Sequence, residues 1–168
     1  MKKRMLLILA SILTLSFVGC TDKESQTEPE NNQEETVTEE PQNTNIQIDD
    51  FMVCPKLSSE KNSTAAIDEI ASIAKANANA MTDEQAATII DAIKTADHKF
   101  YNGPEEMEKY MWYGYLLDYK YDDSDPRSEL GTDLCQAIKY VYRNVETVLD
   151  DSTKENLHQI DETLQKIN

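Results

Sequence analysis

The chain has 168 residues, with 32 Asp and Glu against 16 Lys and Arg and a net charge of −16 at pH 7. A surface that acidic disfavours nucleic acid and anionic lipid headgroups, and favours basic proteins, peptides or cations. Only four glycines are present, which leaves little material for phosphate-cradling turns, and no GxSxG or cysteine-nucleophile motif occurs.

The chain begins MKKRMLLILASILTLSFVGC. Lys2, Lys3 and Arg4 give a positive start, followed by an apolar run from Met5 to Val18. That run reaches about 21 Å as a helix, short of the roughly 30 Å hydrocarbon core. These are the proportions of a secretory signal peptide, residues 1–19, rather than of a spanning anchor. Val18-Gly19-Cys20 resembles the lipobox of bacterial lipoproteins, with Phe17 where that family usually has Leu. The resemblance covers residues 1–20 alone. It implies that Cys20 is diacylated and becomes the new N-terminus, so that the chain faces outside the cytoplasm on a lipid anchor in the cell membrane. Two acyl chains supply the stable anchoring that one cannot.

Residues 20–45 follow as a lipid-bearing cysteine and an acidic tether of Glu, Gln, Asn, Thr and Pro, with Val37 the one large apolar side chain. Such a composition cannot offset the entropy of ordering and predicts disorder. A self-repelling chain of this length spans on the order of 25–30 Å or more. Loss of residues 1–19 leaves thirteen basic and thirty-two acidic residues, a net charge of −19.

A helical domain is expected over residues 46–168. Ile46, Ile48, Phe51 and Val53 suggest a short extended segment lying across it. Ser63 or Thr64 can cap a first helix striped by Ile67, Ile70, Ala74, Ala78 and Met81. Thr82 and Gln85 form a capping box for a second, striped by Ile89, Ile90, Ile93, Ala96 and Phe100. Asn102-Gly103-Pro104 ends that helix and starts a third. Asp125-Pro126 opens a fourth, with Leu130, Leu134, Ile138, Val141, Val145 and Val148 on one face. Ser152 and Glu155 predict a capping box for a fifth, carrying Leu157, Ile160, Leu164 and Ile167. The fold class is therefore all-α, an antiparallel bundle of about four to five helices behind a short extended segment.

YMWYGYLLDYKY, residues 110–121, concentrates five tyrosines and the single tryptophan. Met107, Tyr110, Gly114, Leu117 and Tyr121 share one face of its helix; Trp112, Tyr115, Leu116 and Tyr119 share the other. Glu108, Lys109, Asp118 and Lys120 do not gather into one wet side. A helix apolar around most of its circumference is usually central. The alternative is a groove in which Trp112, Tyr115 and Tyr119 contact a ligand or partner. Gly114 in mid-helix costs about 1 kcal/mol relative to Ala, which predicts a close approach there.

Cys54 and Cys135 form an even pair once Cys20 carries lipid. Outside the cytoplasm they can bond, worth about 2–4 kcal/mol, or Cys135 can simply be a buried hydrophobe. His98 and His158 fall off the apolar stripes and make no HExxH arrangement. Residues 118–129 have Glu129 where a calcium loop needs its last ligand, but Lys120 and Asp123 occupy positions that require a ligand and a glycine. No catalytic residue, metal ligand set or cofactor is assigned. The leading expectation is a tethered, non-catalytic binding module, one form of it a protective protein that intercepts a basic toxin or peptide. The alternatives are an enzyme or metal-dependent accessory factor of the envelope, resting on His98, His158, Asp122, Asp123 and Asp125, and a structural surface spacer.

Overall fold

Local signals set most of the helix starts. The computed structural model describes residues 47–167; the expected signal peptide, Cys20, the expected tether, Ile46 and Asn168 lie outside them. Among the described residues there are five α-helices and no strand: α1 (Thr64–Asn77), α2 (Asp83–Ala96), α3 (Pro104–Lys120), α4 (Pro126–Tyr142) and α5 (Asp151–Lys166). A 3₁₀ turn, Ala78–Ala80, follows α1. The Ser63 side chain accepts from the Ala66 amide at 3.0 Å. Thr82 and Gln85 make the reciprocal capping box, at 2.8 and 3.2 Å. Pro104 and Pro126 occupy the first turns of α3 and α4, where a missing N–H costs nothing.

The helices run up-down-up-down-up. α3 is central, packing on α1, α2 and α4, while α5 packs on α4. Antiparallel pairing of α3 with α4 places Tyr142 at Glu108 and Thr132 at Asp118. Thr163 reaches Asp133, and Lys166 reaches Glu129, along α4 and α5. At the α3–α4 crossing Gly114 meets Gly131. A Cβ on Gly114 would lie 2.6 Å from the Cys135 sulfur and 2.8 Å from the Gly131 carbonyl oxygen. The expected close approach is thus backbone on backbone.

Three expectations from the periodicity are corrected. α2 ends at Ala96, not near Asn102, because Asp97 and His98 both take left-handed conformations, φ 48° and 63°. That turn frees Phe100 from the helix and lets it bury fully against Tyr110, ring centroids 4.7 Å apart. α4 ends at Tyr142 with Asn144 left-handed, φ 57°. Val145 and Val148 therefore leave the buried stripe and face solvent. At α5 the N-cap is Asp150 rather than Ser152. Its carboxylate accepts instead from the Thr147 amide at 2.7 Å, closing the α4–α5 turn.

The segment before α1 is held by side chains rather than by strand pairing. The Trp112 indole N–H donates to the Phe51 carbonyl at 2.9 Å, and the Tyr113 hydroxyl to that of Met52 at 2.8 Å. Glu69 on α1 accepts from the amides of Ser58 and Ser59 at 2.9 and 2.8 Å, and from the Ser58 hydroxyl at 2.9 Å. Lys61 pairs with Glu105 at the start of α3. Phe51 is buried in the core, so the segment is packed as well as bonded.

Candidate functional site

The aromatic helix is divided between core and surface. Trp112 has no exposed surface, and Tyr110 and Tyr113 are buried with it. Trp112 is therefore removed from the contact surface on which the sequence allowed it. Its indole N–H is satisfied only by turning inward to Phe51, which couples its burial to docking of the leading segment. Tyr115 and Tyr119 differ. They stack on one another at 6.0 Å with rings 13° from parallel, and Tyr119 is 36% exposed. Lys75 of α1 lies 5.8 Å from the Tyr119 ring centroid. Burial pushes both phenols above their ordinary range, with the Asp118 carboxylate adding to the effect. They are neutral, flat and partly open.

A second feature was not legible in the sequence. The leading segment overhangs the first turns of α3 and leaves a cleft of about 570 Å³, lined by Met52, Val53, Cys54 and Leu57 on one side and Glu105, Glu106, Glu108 and Lys109 on the other. A second cleft of about 500 Å³ shares Val53, Pro55 and Lys56 with it. Glu108 is buried, 8% exposed, and one of its oxygens accepts from the Tyr142 hydroxyl at 2.6 Å. Burial, reinforced by Glu108, pushes the Tyr142 phenol well up. The available signal was register: Glu108 precedes Met111 by three positions and Trp112 by four, which puts an acid on a buried face.

Cys54 and Cys135 are free thiols, not a disulfide. Cys135 sits between α3 and α4 against Gly114 and donates to the Met111 carbonyl, whereas Cys54 lines the cleft and donates to that of Pro55. Burial first, then Glu108 and Glu69, pushes the Cys54 thiol up to about 12, and burial pushes Cys135 higher still. Neither is a thiolate nucleophile near neutral pH.

The residues behind the enzyme or metal alternative are not brought together. His98 pairs with Asp161 of α5 at 2.8 Å, and His158 with Glu162 one turn along its own helix. Asp125 caps α4 through the Arg127 amide and pairs with its guanidinium at 2.6 Å. Arg127 in turn stacks on Tyr121 at 3.6 Å. Of the acids in residues 118–129, Asp125 serves the start of α4, Asp118 accepts from the Thr132 hydroxyl at 3.0 Å and Glu129 accepts from Lys166 at 2.8 Å. Among the described residues no three His, Cys, Asp or Glu side chains lie together as metal ligands, and no helix is long and apolar enough to cross a membrane.

The chain matches no protein-family model, no curated protein and no solved structure.

Proposed function

We propose that the chain is a cell-envelope lipoprotein, anchored in the membrane through lipid on Cys20 and facing outside the cytoplasm. Residues 20–45 act as the tether, and the helical domain is a non-catalytic module that binds a basic protein or peptide. The observation that carries the binding reading is the stacked Tyr115–Tyr119 pair, half-buried at Tyr115 and exposed at Tyr119, on a helix whose other large aromatics are turned inward. Stiff, amphipathic rings left at the surface give contact area at little entropic cost. The acidic excess supports a basic partner.

The test is a photo-crosslinking amino acid placed at Tyr119 in cells, with Glu155 on the exposed side of α5 as control. The expected result is a discrete adduct from position 119 that is absent from position 155, and lost when Tyr115 is changed to Ser. The absence of any adduct at 119 would favour the spacer reading. Incorporation of labelled fatty acid, abolished by Cys20→Ala, tests the anchor separately.

A further inference from the structure

Glu108 is more than nine-tenths buried, yet it belongs to the wall of the cleft beneath the leading segment. Its Oε1 is taken by the Tyr142 hydroxyl at 2.6 Å. Three lysines line the cleft: Lys61 pairs with Glu105 and Lys109 with Glu106 at 2.6 Å, while Lys56 is exposed and makes no contact with Glu108. Among the described residues no fully buried side-chain oxygen lacks a partner, and none of those residues donates to Glu108 Oε2. That oxygen is therefore the one open to the cleft. A buried carboxyl without a cation is costly to keep, and the cost is relieved when a cation reaches it.

We propose that this cleft receives a primary alkylammonium group, with Glu108 Oε2 as its acceptor. The inference rests on the reading of the domain as a binding module and names the chemistry of the ligand. A guanidinium is the poorer fit, because its fork wants both carboxylate oxygens and Tyr142 already holds one. An ammonium needs a single acceptor. Met52, Val53 and Leu57 supply an apolar wall along which the methylenes of such a group lie while its head reaches the carboxyl. Residues 47–168 carry twenty-four acids against twelve bases, which draws cations toward the domain. A lysine side chain of a partner protein and a free diamine share this chemistry.

The test is calorimetric titration of the full mature chain in detergent, with cadaverine and with acetyl-trilysine-amide as probes. Both ammonium ligands are expected to bind more weakly as salt is raised. Glu108→Gln keeps an acceptor for Tyr142 and is expected to weaken binding at least tenfold while the thermal melt is unchanged. Lys61→Met leaves Glu108 in place, removes one positive charge from the cleft wall and frees the Glu105 carboxylate, so it is expected to tighten binding. Tighter binding of the peptide identifies a lysine of a protein as the source, and tighter binding of the diamine identifies a free amine. Either assignment supports the ammonium site. No heat with either probe overturns the proposal, as does equal affinity in Glu108→Gln or unchanged affinity in Lys61→Met. Should it fall while the Tyr119 adduct persists, the binding-module reading stands and the ligand contacts the tyrosine face instead.

Discussion

Gly114 of α3 and Gly131 of α4 face each other across the helix crossing, and each backbone occupies the space that a Cβ on the other would need. Alanine at either position gains about 1 kcal/mol of helix propensity. Against that gain stands overpacking, which costs about 1–3 kcal/mol or more where the neighbours cannot yield. A Cβ on Gly131 would meet only backbone, at Gly114 and Asp118, whereas one on Gly114 also meets the movable sulfur of Cys135. Both substitutions are expected to destabilise, Gly131→Ala by about 2 kcal/mol net and Gly114→Ala by less. Urea unfolding followed by circular dichroism measures the difference.

Trp112 is expected to emit at short wavelength and to resist acrylamide quenching, because it has no exposed surface. Trp112→Phe removes the hydrogen bond to the Phe51 carbonyl and leaves that buried acceptor without its donor. The expected loss is about 2 kcal/mol. Amides of residues 47–57 should exchange faster in this variant than in the parent.

Glu69 clamps the leading segment and responds to acid. Burial pulls its carboxyl up, but hydrogen bonds from Ser59 and Ser58 outweigh that and hold it at about 2. The folded value lies below the unfolded one of about 4.3. Stability from this clamp is therefore full above about pH 4.5 and is lost as the pH falls toward 2. Exchange protection at the Ser58 and Ser59 amides should decline over that window, and Glu69→Gln should flatten the dependence.

Both domain thiols should react slowly with a thiol reagent at pH 8, since burial holds them protonated. Cys54, at the cleft wall, is expected to react before Cys135, which needs the α3–α4 crossing to open. Two free thiols per non-lipidated domain should be counted after unfolding without reductant. A count of zero would instead indicate an oxidised pair.

Tyr119→Ser should leave stability within about 1 kcal/mol, because the residue is about a third exposed and surface changes are usually mild. If the tyrosine pair is the contact surface, the same change lowers partner affinity at least tenfold, about 1.4 kcal/mol. A thermal melt and a binding titration on one sample separate the two effects.

Four of the five helix starts were readable from local signals, whereas the Ser152–Glu155 box expected for α5 is not used. Ser63, the Thr82–Gln85 box and the two prolines each act within one turn, and the structure uses all four. The central position of α3 was also readable, since polar residues never collect on one of its sides. Stops were less legible. Asp97, His98 and Asn144 turn left-handed without a glycine, and that choice is made by Phe100 gaining the core and by the α4–α5 turn closing on Asp150.

The amino-acid sequence by itself determined that the domain is helical from about residue 64 onward, roughly where most of its helices begin, and that one of them must be enclosed. Those outcomes follow from hydrogen bonds and apolar spacing between residues a few positions apart. Only the tertiary structure decided that Trp112 turns inward while Tyr115 stays half-buried and Tyr119 exposed, that Cys54 and Cys135 remain apart, and that Glu108 reaches a cleft. Each of these depends on which helix lies opposite, and so on contacts between residues tens of positions apart.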